Sequence, residues 1–184
     1  FTDVAQNASP FAAVTLPAYS QFNYHVVDLD GDGDKDLLYG ANNAPKSFYF
    51  RNDGGVFSSQ STVNFPAPTF YPRAVWGDFD GDGDADMLWQ TGDDNTGWSY
   101  ARNDGLDGNG NVSFTVLAQN ASPFAASSLV NFPRYNYRVG DFDGDGDIDL
   151  LGTTNDVASV YFQNGSPPKL VSATPADNSL SVSP

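Results

Sequence analysis

Apolar residues occur in short runs that are separated by turn-forming residues. Tyr-His-Val-Val at 24–27 and Leu-Leu-Tyr at 37–39 are typical, because both are rich in β-branched or aromatic side chains and Asp and Gly lie between them. Runs of this length favour β-strands, since α-helices need longer segments with a period near 3.6. The chain of 184 residues also contains 18 Gly and 12 Pro. The pattern predicts an all-β protein with one good core.

Three near-copies of one acidic nonapeptide connect these runs, at 28–36, 78–86 and 141–149. Carboxylates at positions 1, 3, 5 and 9 can converge on one hard cation, and Gly at position 6 allows a sharp turn. Position 7 would offer its backbone carbonyl, which leaves its side chain near solvent. We therefore predict three Ca²⁺ sites. The candidate metal ligands are Asp28, Asp30, Asp32, Asp34, Asp36, Asp78, Asp80, Asp82, Asp84, Asp86, Asp141, Asp143, Asp145, Asp147 and Asp149.

The nonapeptide differs from an EF-hand loop, which ends on a bidentate Glu at position 12 and lies between helices. Position 12 is Tyr39, Trp89 or Gly152 here, and the flanking runs predict strands. The Asp at position 9 must therefore act as the closing ligand. Asp-Gly pairs also form ordinary turns. However, a plain turn needs one or two Asp, and five carboxylates in nine residues repel one another unless a cation lies among them.

The charge of the chain is concentrated in these loops. All 23 acidic residues are Asp, and 15 of them lie in the three nonapeptides, so the remaining eight balance the eight Lys and Arg. A net charge of −15 argues against nucleic acid as a partner, because phosphate binding needs a basic surface. No run approaches the roughly 20 apolar residues of a membrane span, so no membrane insertion is expected. Cysteine is absent, so calcium would replace disulfides, and we expect an extracellular or cell-surface location.

The repeat extends beyond the loops. Residues 1–13 return almost unchanged at 114–126, which sets repeats of 1–56, 57–113 and 114–168 and leaves 169–184 as a remainder. Each repeat contains a strand into the acidic loop, a strand out, and a further strand pair around an Asn-Gly-type turn. These turns are Asn52-Asp53-Gly54, Asn103-Asp104-Gly105 and Asn164-Gly165.

These motifs resemble the FG-GAP/VCBS repeat, which occurs in integrin α-subunit heads, fungal lectins and many bacterial surface proteins. The shared pattern is Asp-Phe-Asp-Gly-Asp-Gly-x-x-Asp-Leu-Leu, followed by an Asn-Asp-Gly turn and then Phe. The resemblance implies that each repeat is a four-stranded blade of a β-propeller, with calcium in the hairpin between its first two strands. It places ligands on Asp28, Asp30, Asp32 and Asp36 and on their counterparts in the other two loops.

The chain ends are expected to belong to a longer protein. Phe1 is not preceded by Met or a signal sequence, which indicates a processed or excised piece. Residues 167–184 are rich in Ser and Pro and resemble the opening strand of a bacterial immunoglobulin-like module; a Ser/Pro linker is the alternative.

Three blades leave an open arc, because propellers close with 4–8 blades. We expect fourth strands at 56–62 and 112–118, whereas the third repeat runs into Ser166-Pro167-Pro168, where proline weakens pairing. Residues 1–6 would then be a fourth strand without a blade. If these residues added to the third blade of another chain, the chains would form a ring or a filament. This hypothesis would lose its basis if Lys169–Ala173 already filled the place of the fourth strand in blade 3.

The remaining residues give weaker signals. His25 is the single histidine and favours packing over catalysis, and Arg51 and Arg102 are expected to pair with loop carboxylates or carbonyls. Trp76, Trp89 and Trp98 either pack between blades or form a sugar-stacking surface. Without Cys or Glu, no catalytic pair is evident, so an enzyme is not expected. We predict a calcium-binding structural or adhesive module with a protein or glycan partner at the cell surface. A lectin and a self-associating filament or ring subunit are the alternatives.

Overall fold

The fold is taken from a computed structural model of the chain. It describes residues 2–3, 5–16, 24–40, 47–60, 62–63, 65–66, 74–91, 97–125, 136–153 and 160–165. Within these residues the strands form three sheets, and the other regular elements are two single 3₁₀ turns, Gln6–Ala8 and Gln119–Ala121. No helix in these ranges has the length and hydropathy of a membrane span. The predicted all-β class is confirmed.

The first sheet is a four-stranded antiparallel blade with its strands in chain order. The β1–β2 hairpin contains the first acidic loop, and Val27 pairs with Asp36 at its base. The turn between β3 and β4 is Gly54-Gly55, one residue later than predicted. Both glycines have positive φ (62° and 89°), which a two-residue hairpin turn requires. The strands of blade 1 are β1 (Tyr24–Val27), β2 (Asp36–Gly40), β3 (Ser47–Asp53) and β4 (Val56–Gln60).

The second sheet repeats this blade and gains one short strand, β5 (Thr62–Val63), which pairs in parallel with β9. The prediction that the fourth strand of blade 1 reaches residue 62 is therefore wrong, because Thr62 already lies on the outer edge of blade 2. Asn103–Gly105 forms an irregularity inside β8, and the turn lies later, where Asp107 accepts hydrogen bonds from the backbone of Asn109 and Asn111. The remaining strands of blade 2 are β6 (Ala74–Gly77), β7 (Asp86–Thr91), β8 (Gly97–Leu106) and β9 (Val112–Leu117).

The third sheet contains β10 (Asn136–Gly140), β11 (Asp149–Thr153) and β12 (Val160–Phe162) in the part of the chain that the structure describes. Among those residues, no strand pairs with the outer edge of β12. Residues 166–184 lie outside the described ranges, so the immunoglobulin-like start and the filling of this place by Lys169–Ala173 stay predictions.

The blades stack face against face, and their apolar residues form the core between them. The trailing face of each blade, which points toward the next blade, carries Val27, Leu29, Leu38 and Tyr49 in blade 1 and Val75, Phe79, Leu88 and Tyr100 in blade 2. The leading face carries Ala74, Met87, Trp89, Ala101 and Phe114 in blade 2 and Tyr137, Val139, Leu150 and Phe162 in blade 3. Each trailing face packs against the following leading face, so the core is divided between two blade interfaces.

The N-terminal segment packs on blade 1. Phe11, Val14 and Leu16 lie against the leading face of blade 1, and the ring of Phe11 stacks on Phe57 at 4.4 Å between centroids. The prediction that residues 1–6 form a strand is wrong for those described, since Thr2, Asp3, Ala5 and Gln6 belong to no sheet.

The tryptophans pack between blades. Trp89 is buried in the first blade interface, and Trp76 packs against the same cluster. Trp98 contacts Tyr137 of blade 3 edge-on, with ring centroids 4.6 Å apart. His25 is half-buried beside Trp76 at 6.0 Å. The packing alternative for these side chains is therefore the one that the structure supports.

Candidate metal centres

Each acidic loop wraps its backbone around the carboxylate at position 1. The N–H groups of Gly31 and Gly33 donate to Oδ1 and Oδ2 of Asp28, both at 3.0 Å. Gly33 has φ of 95°, a conformation that side-chain-bearing residues rarely adopt. The equivalent bonds to Asp78 and Asp141 measure between 2.6 and 3.1 Å. The glycine positions therefore fix the first carboxylate in the same way in all three loops.

The loops bring carboxylates together as the sequence predicts, but the three sets differ. Positions 1 and 3 belong to every set, in which one oxygen from each residue lies within 4.8 Å of the others. Position 5 completes the set in the first loop, and position 9 completes it in the second and third. The three sets are Asp28, Asp30 and Asp32; Asp78, Asp80 and Asp86; and Asp141, Asp143 and Asp149.

The Asp at position 9 is fully buried and joins three parts of its blade. In blade 2, Asp86 Oδ2 accepts hydrogen bonds from the backbone N–H of Phe79 at 3.1 Å and from the Tyr100 hydroxyl at 2.6 Å. Its Oδ1 accepts the backbone N–H of Asn103 at 2.8 Å. Asp36 and Asp149 make the corresponding three bonds in their own blades. Position 9 therefore connects the loop, the third strand and the following turn.

Sequence reasoning missed the hydroxyl donors of this network. They are Tyr49, Tyr100 and Tyr161, and each lies three residues before the Asn whose backbone N–H binds the same carboxylate. The signal is visible as Tyr-x-x-Asn, whose Tyr lies 12 to 14 residues after position 9 in each repeat. A sequence motif for this loop therefore has to include the strand that supports it.

The prediction that position 7 turns its side chain toward solvent is wrong. Asp34, Asp84 and Asp147 are half-buried. Asp34 Oδ2 accepts the backbone N–H of Gly54 at 2.7 Å, which ties the loop to the β3–β4 turn. Asp84 lies over Gly31 of the preceding loop, so that a Cβ built on Gly31 would stand 3.0 Å from Asp84 Oδ1. The packing of blade 2 against blade 1 therefore encloses Asp84.

The expected basic partners lie mainly on the turns. Arg51 Nη2 is 3.0 Å from Asp53, and its Nε is 3.8 Å from Asp30 of the loop. Arg102 pairs with Asp104 at 2.7 Å. In blade 3 the same place holds a neutral side chain, Gln163, whose amide donates to Asp143. The loops thus gain little compensating positive charge from these side chains.

The carboxylates titrate as crowded and partly buried groups. Burial, followed by the adjacent Asp32 or Asp82, holds the pKa of Asp30 and Asp80 above the usual range. Burial also raises the pKa of Asp86 to about 7. Burial acts in the same direction on the pKa of Asp149, but the N–H groups of Asn164 and Phe142 outweigh it, and this pKa lies below its usual value. Ionisation of the position 9 carboxylate is therefore least favourable in the second loop, at Asp86.

A side-chain amide connects the first and second loops to the blade that follows each of them. Asn103 Nδ2 of blade 2 donates to the carbonyl of Leu29 in the first loop at 2.8 Å. Asn164 Nδ2 of blade 3 donates to the carbonyl of Phe79 in the second loop at 3.1 Å. In blade 1 the equivalent Asn52 donates to Lys35 of its own loop at 3.0 Å. The acidic loops are therefore part of the blade interfaces.

The donor set fits a hard divalent cation. All side-chain groups that converge are carboxylates, and oxygen is the ligand that Ca²⁺ takes. Asp86 Oδ1 accepts one hydrogen bond, so it keeps acceptor capacity for a cation. Burial and then repulsion from the neighbouring carboxylate raise the pKa of Asp30 and of Asp80, and a cation would relieve the repulsion. Each acidic set could therefore hold one metal ion.

The protein has antiparallel blades, and an acidic loop lies in the first hairpin of each blade. These features place it in the class of β-propeller-type repeats. Residues 28–89 match the family model described as an FG-GAP-like repeat. The match covers the part of the chain that runs from the first acidic loop through the second, so this part is similar to the FG-GAP-like repeat. The resemblance that the motifs indicated is confirmed here, and the resemblance of the C-terminal segment to an immunoglobulin-like module stays a prediction.

Among solved structures, the chain is similar to a lectin from Agrocybe aegerita that is described as specifically recognising non-reducing terminal N-acetylglucosamine. The identity is 22% and the TM-score is 0.45. The match covers 78% of this chain and 38% of the lectin chain, so this chain spans less than half of that protein. A search of curated proteins gave no match.

Proposed function

We propose that the chain is a calcium-binding, non-catalytic structural or adhesive module in which one Ca²⁺ ion stabilises each blade. The observation that supports this proposal most is the repeated loop, in which backbone N–H groups hold the first carboxylate and two further carboxylates converge on it. In the second and third loops, a cation placed there would join oxygens from both ends of the loop and thereby fix the β-hairpin. FG-GAP-like repeats often bind calcium, which supports the choice of ion.

The mechanism is thermodynamic. An ion that binds the folded loop and not the unfolded chain stabilises the fold by about 2.7 kcal/mol per site when its concentration is a hundredfold above Kd. Because position 9 connects the loop to the third strand, the ordering of the loop would extend across the blade. We expect neighbouring sites to act together, since the first and second loops each contact the next blade through an Asn side chain.

Thermal unfolding with and without calcium tests this proposal. The melting temperature of the chain should rise in millimolar Ca²⁺ compared with excess chelator. Asp30→Asn should reduce that rise, because Asp30 belongs to the first acidic set. Asp53→Asn is the matched control, since it removes the same charge from an exposed turn residue that pairs with Arg51. Equal melting temperatures in calcium and chelator would contradict the proposal.

We propose an extracellular or cell-surface location and a protein or glycan partner there. FG-GAP repeats are typical of extracellular proteins. A chain without cysteine needs other cross-links outside the cell, and Ca²⁺ would supply them. Expression of the protein with surface labelling in its native cells tests the location, and recovery in the cytoplasm alone would contradict it.

Glycan binding is a second candidate, favoured by one observation on this chain. Phe142 and Tyr161 are 50% and 45% exposed, so their rings are available for stacking on a sugar. A glycan array probed with the wild type and with Phe142→Ala tests this candidate. Binding that the substitution abolishes would support it, and absence of binding across a broad array would exclude it.

A further inference from the structure

The trailing face of blade 3 is uncovered by the residues that the structure describes, although its counterparts are buried. Phe142 corresponds to Leu29 and Phe79 in the loops of blades 1 and 2, which are 0% and 1% exposed, whereas Phe142 is 50% exposed. Tyr161 is 45% exposed, and the equivalent Tyr49 and Tyr100 are nearly inaccessible. A neighbouring blade covers these side chains in blades 1 and 2. Blade 3 therefore presents the same kind of aromatic pair, with Arg138 in the place of Val75, and the described residues leave it uncovered.

The covered interface between blades 2 and 3 shows which groups this surface accepts. Phe79 and Tyr100 contact each other edge-on at 6.5 Å, and the ring of Phe124 lies 5.3 Å from Phe79 and 6.0 Å from Tyr100. The backbone carbonyl of Phe79 accepts Asn164 Nδ2. The interface thus consists of an aromatic pair, an incoming Phe and one amide hydrogen bond.

Blade 3 contains the equivalents of the aromatic pair and of the loop carbonyl that blade 2 contributes to this interface. Phe142 and Tyr161 contact each other edge-on at 6.3 Å, which matches the pair in blade 2. The carbonyl of Phe142 holds the place of the Phe79 and Leu29 carbonyls that accept an Asn amide. A partner for this face must therefore bring a Phe and an Asn in the same arrangement.

The opposite end of the chain carries both groups. Phe11 lies in the sequence Gln-Asn-Ala-Ser-Pro-Phe, which is the same as the one that ends at Phe124. Phe11 is partly exposed beside the leading face of blade 1. Asn52 is the blade 1 equivalent of Asn164, and its amide donates to Lys35 of its own blade through one contact at an exposed position. The two ends of the array are therefore complementary.

We propose that the trailing face of blade 3 binds blade 1 of a second copy of this chain, in a head-to-tail contact. Phe11 of the incoming copy packs on Phe142 and Tyr161, and Asn52 of that copy donates to the carbonyl of Phe142. This contact continues the existing blade interfaces from one chain to the next. Because it is heterologous, it leads to a closed ring or an open filament. The contact includes Phe142 of the third acidic loop, which lies between Asp141 and Asp143, and it requires a second copy of this chain and no other partner molecule.

Light scattering in millimolar calcium, from micromolar to millimolar protein, tests this proposal. The wild type should exceed its monomer mass of 19.7 kDa as concentration rises. Phe142→Asp disrupts the trailing face of blade 3, which is the tail of the contact. Asn52→Asp disrupts blade 1, which is the head, and it keeps the oxygen that accepts the Gly55 N–H. Each variant alone should stay monomeric. An equimolar mixture should form a one-to-one dimer, because one intact head and one intact tail remain.

Matched variants separate this contact from nonspecific association. Leu106→Asp changes a residue with similar exposure, 48%, at the end of β8 in the middle blade, and it should assemble as the wild type does. Phe11→Ser is a second head variant, and circular dichroism confirms that each variant is folded. A wild type that stays monomeric overturns the proposal. Assembly of Asn52→Asp alone also overturns it, since that result indicates tail-to-tail contact, and so does a mixture that forms no dimer.

Discussion

Among the individual residues, the carboxylate at position 9 combines two roles. It accepts three hydrogen bonds that hold the blade together, and in loops 2 and 3 it also belongs to the acidic set that could hold a metal ion. Its spacing within the nonapeptide was enough to predict it as a ligand. Its connection to Tyr100 was not predictable from the loop, because that contact depends on how β7 and β8 pair.

The first prediction concerns the hydroxyl group that supports Asp86. Tyr100→Phe removes a donor at 2.6 Å inside a covered interface and should cost about 1.5–3 kcal/mol of the free energy of unfolding. Tyr161→Phe removes the same kind of bond at an exposed position, where water can replace it, and should cost roughly 1 kcal/mol or less. Urea unfolding in calcium measures both values. Equal losses in the two variants would contradict the role of burial.

The second prediction concerns the pH dependence of stability without metal. The pKa of Asp86 in the folded chain is raised to about 7, mainly by burial, from an ordinary value of 3.8. The folded state therefore binds a proton more tightly than the unfolded state, and the resulting stability is lost as pH rises through about 7. In excess chelator, the melting temperature should be higher near about pH 5.5 than near about pH 8.

Asp86→Asn provides the control for this pH effect. The amide does not titrate in this range, so the difference in melting temperature between the two pH values should shrink. Asp53→Asn should leave the difference unchanged, because Asp53 lies on an exposed turn. If the melting temperature of the wild type in chelator did not change with pH, the pKa of Asp86 would not be raised in the folded chain.

Among the strands and turns, the hairpins were more predictable from the sequence than the positions at which they turn. The strands around each acidic loop are indicated by apolar runs and turn residues. The turn after Asn52 lies one residue later than expected, because Gly54 and Gly55 together supply the two positive φ angles. In blade 2 the turn moves further, since Asp107 binds the backbone of Asn109 and Asn111. Local side-chain bonds therefore decided where each hairpin turns.

The third prediction concerns the amide that joins neighbouring blades. Asn103→Asp removes the buried donor to the Leu29 carbonyl and should destabilise the chain by about 1–3 kcal/mol. Asn52→Asp is the matched variant, whose amide contacts its own blade at an exposed position, and it should cost roughly 1 kcal/mol or less. Urea unfolding at low protein concentration, where chains do not associate, compares the two. A larger loss for Asn52→Asp would contradict the proposed interface role.

For the chain as a whole, the internal repeat was sufficient to predict stacked four-stranded blades. The family match over residues 28–89 agrees with that prediction. The repeat could not predict that the described part of 1–6 lacks a strand, because the homologous residues in β9 owe their strand to pairing with β8 and not to their sequence alone. It also could not predict that Phe142 and Tyr161 are exposed, since their exposure depends on whether another blade packs against blade 3 and not on the sequence of blade 3 itself.

The proposal that each acidic loop binds one calcium ion is tested most directly by calorimetric titration of Ca²⁺ into the chelator-treated chain. The triple variant Asp28→Asn, Asp78→Asn and Asp141→Asn is the control, because it removes the position 1 carboxylate from all three sets. We expect three ions bound per wild-type chain and loss of binding in the triple variant. Absence of calcium binding by the folded wild-type chain, or equal binding by the triple variant, would contradict the proposal.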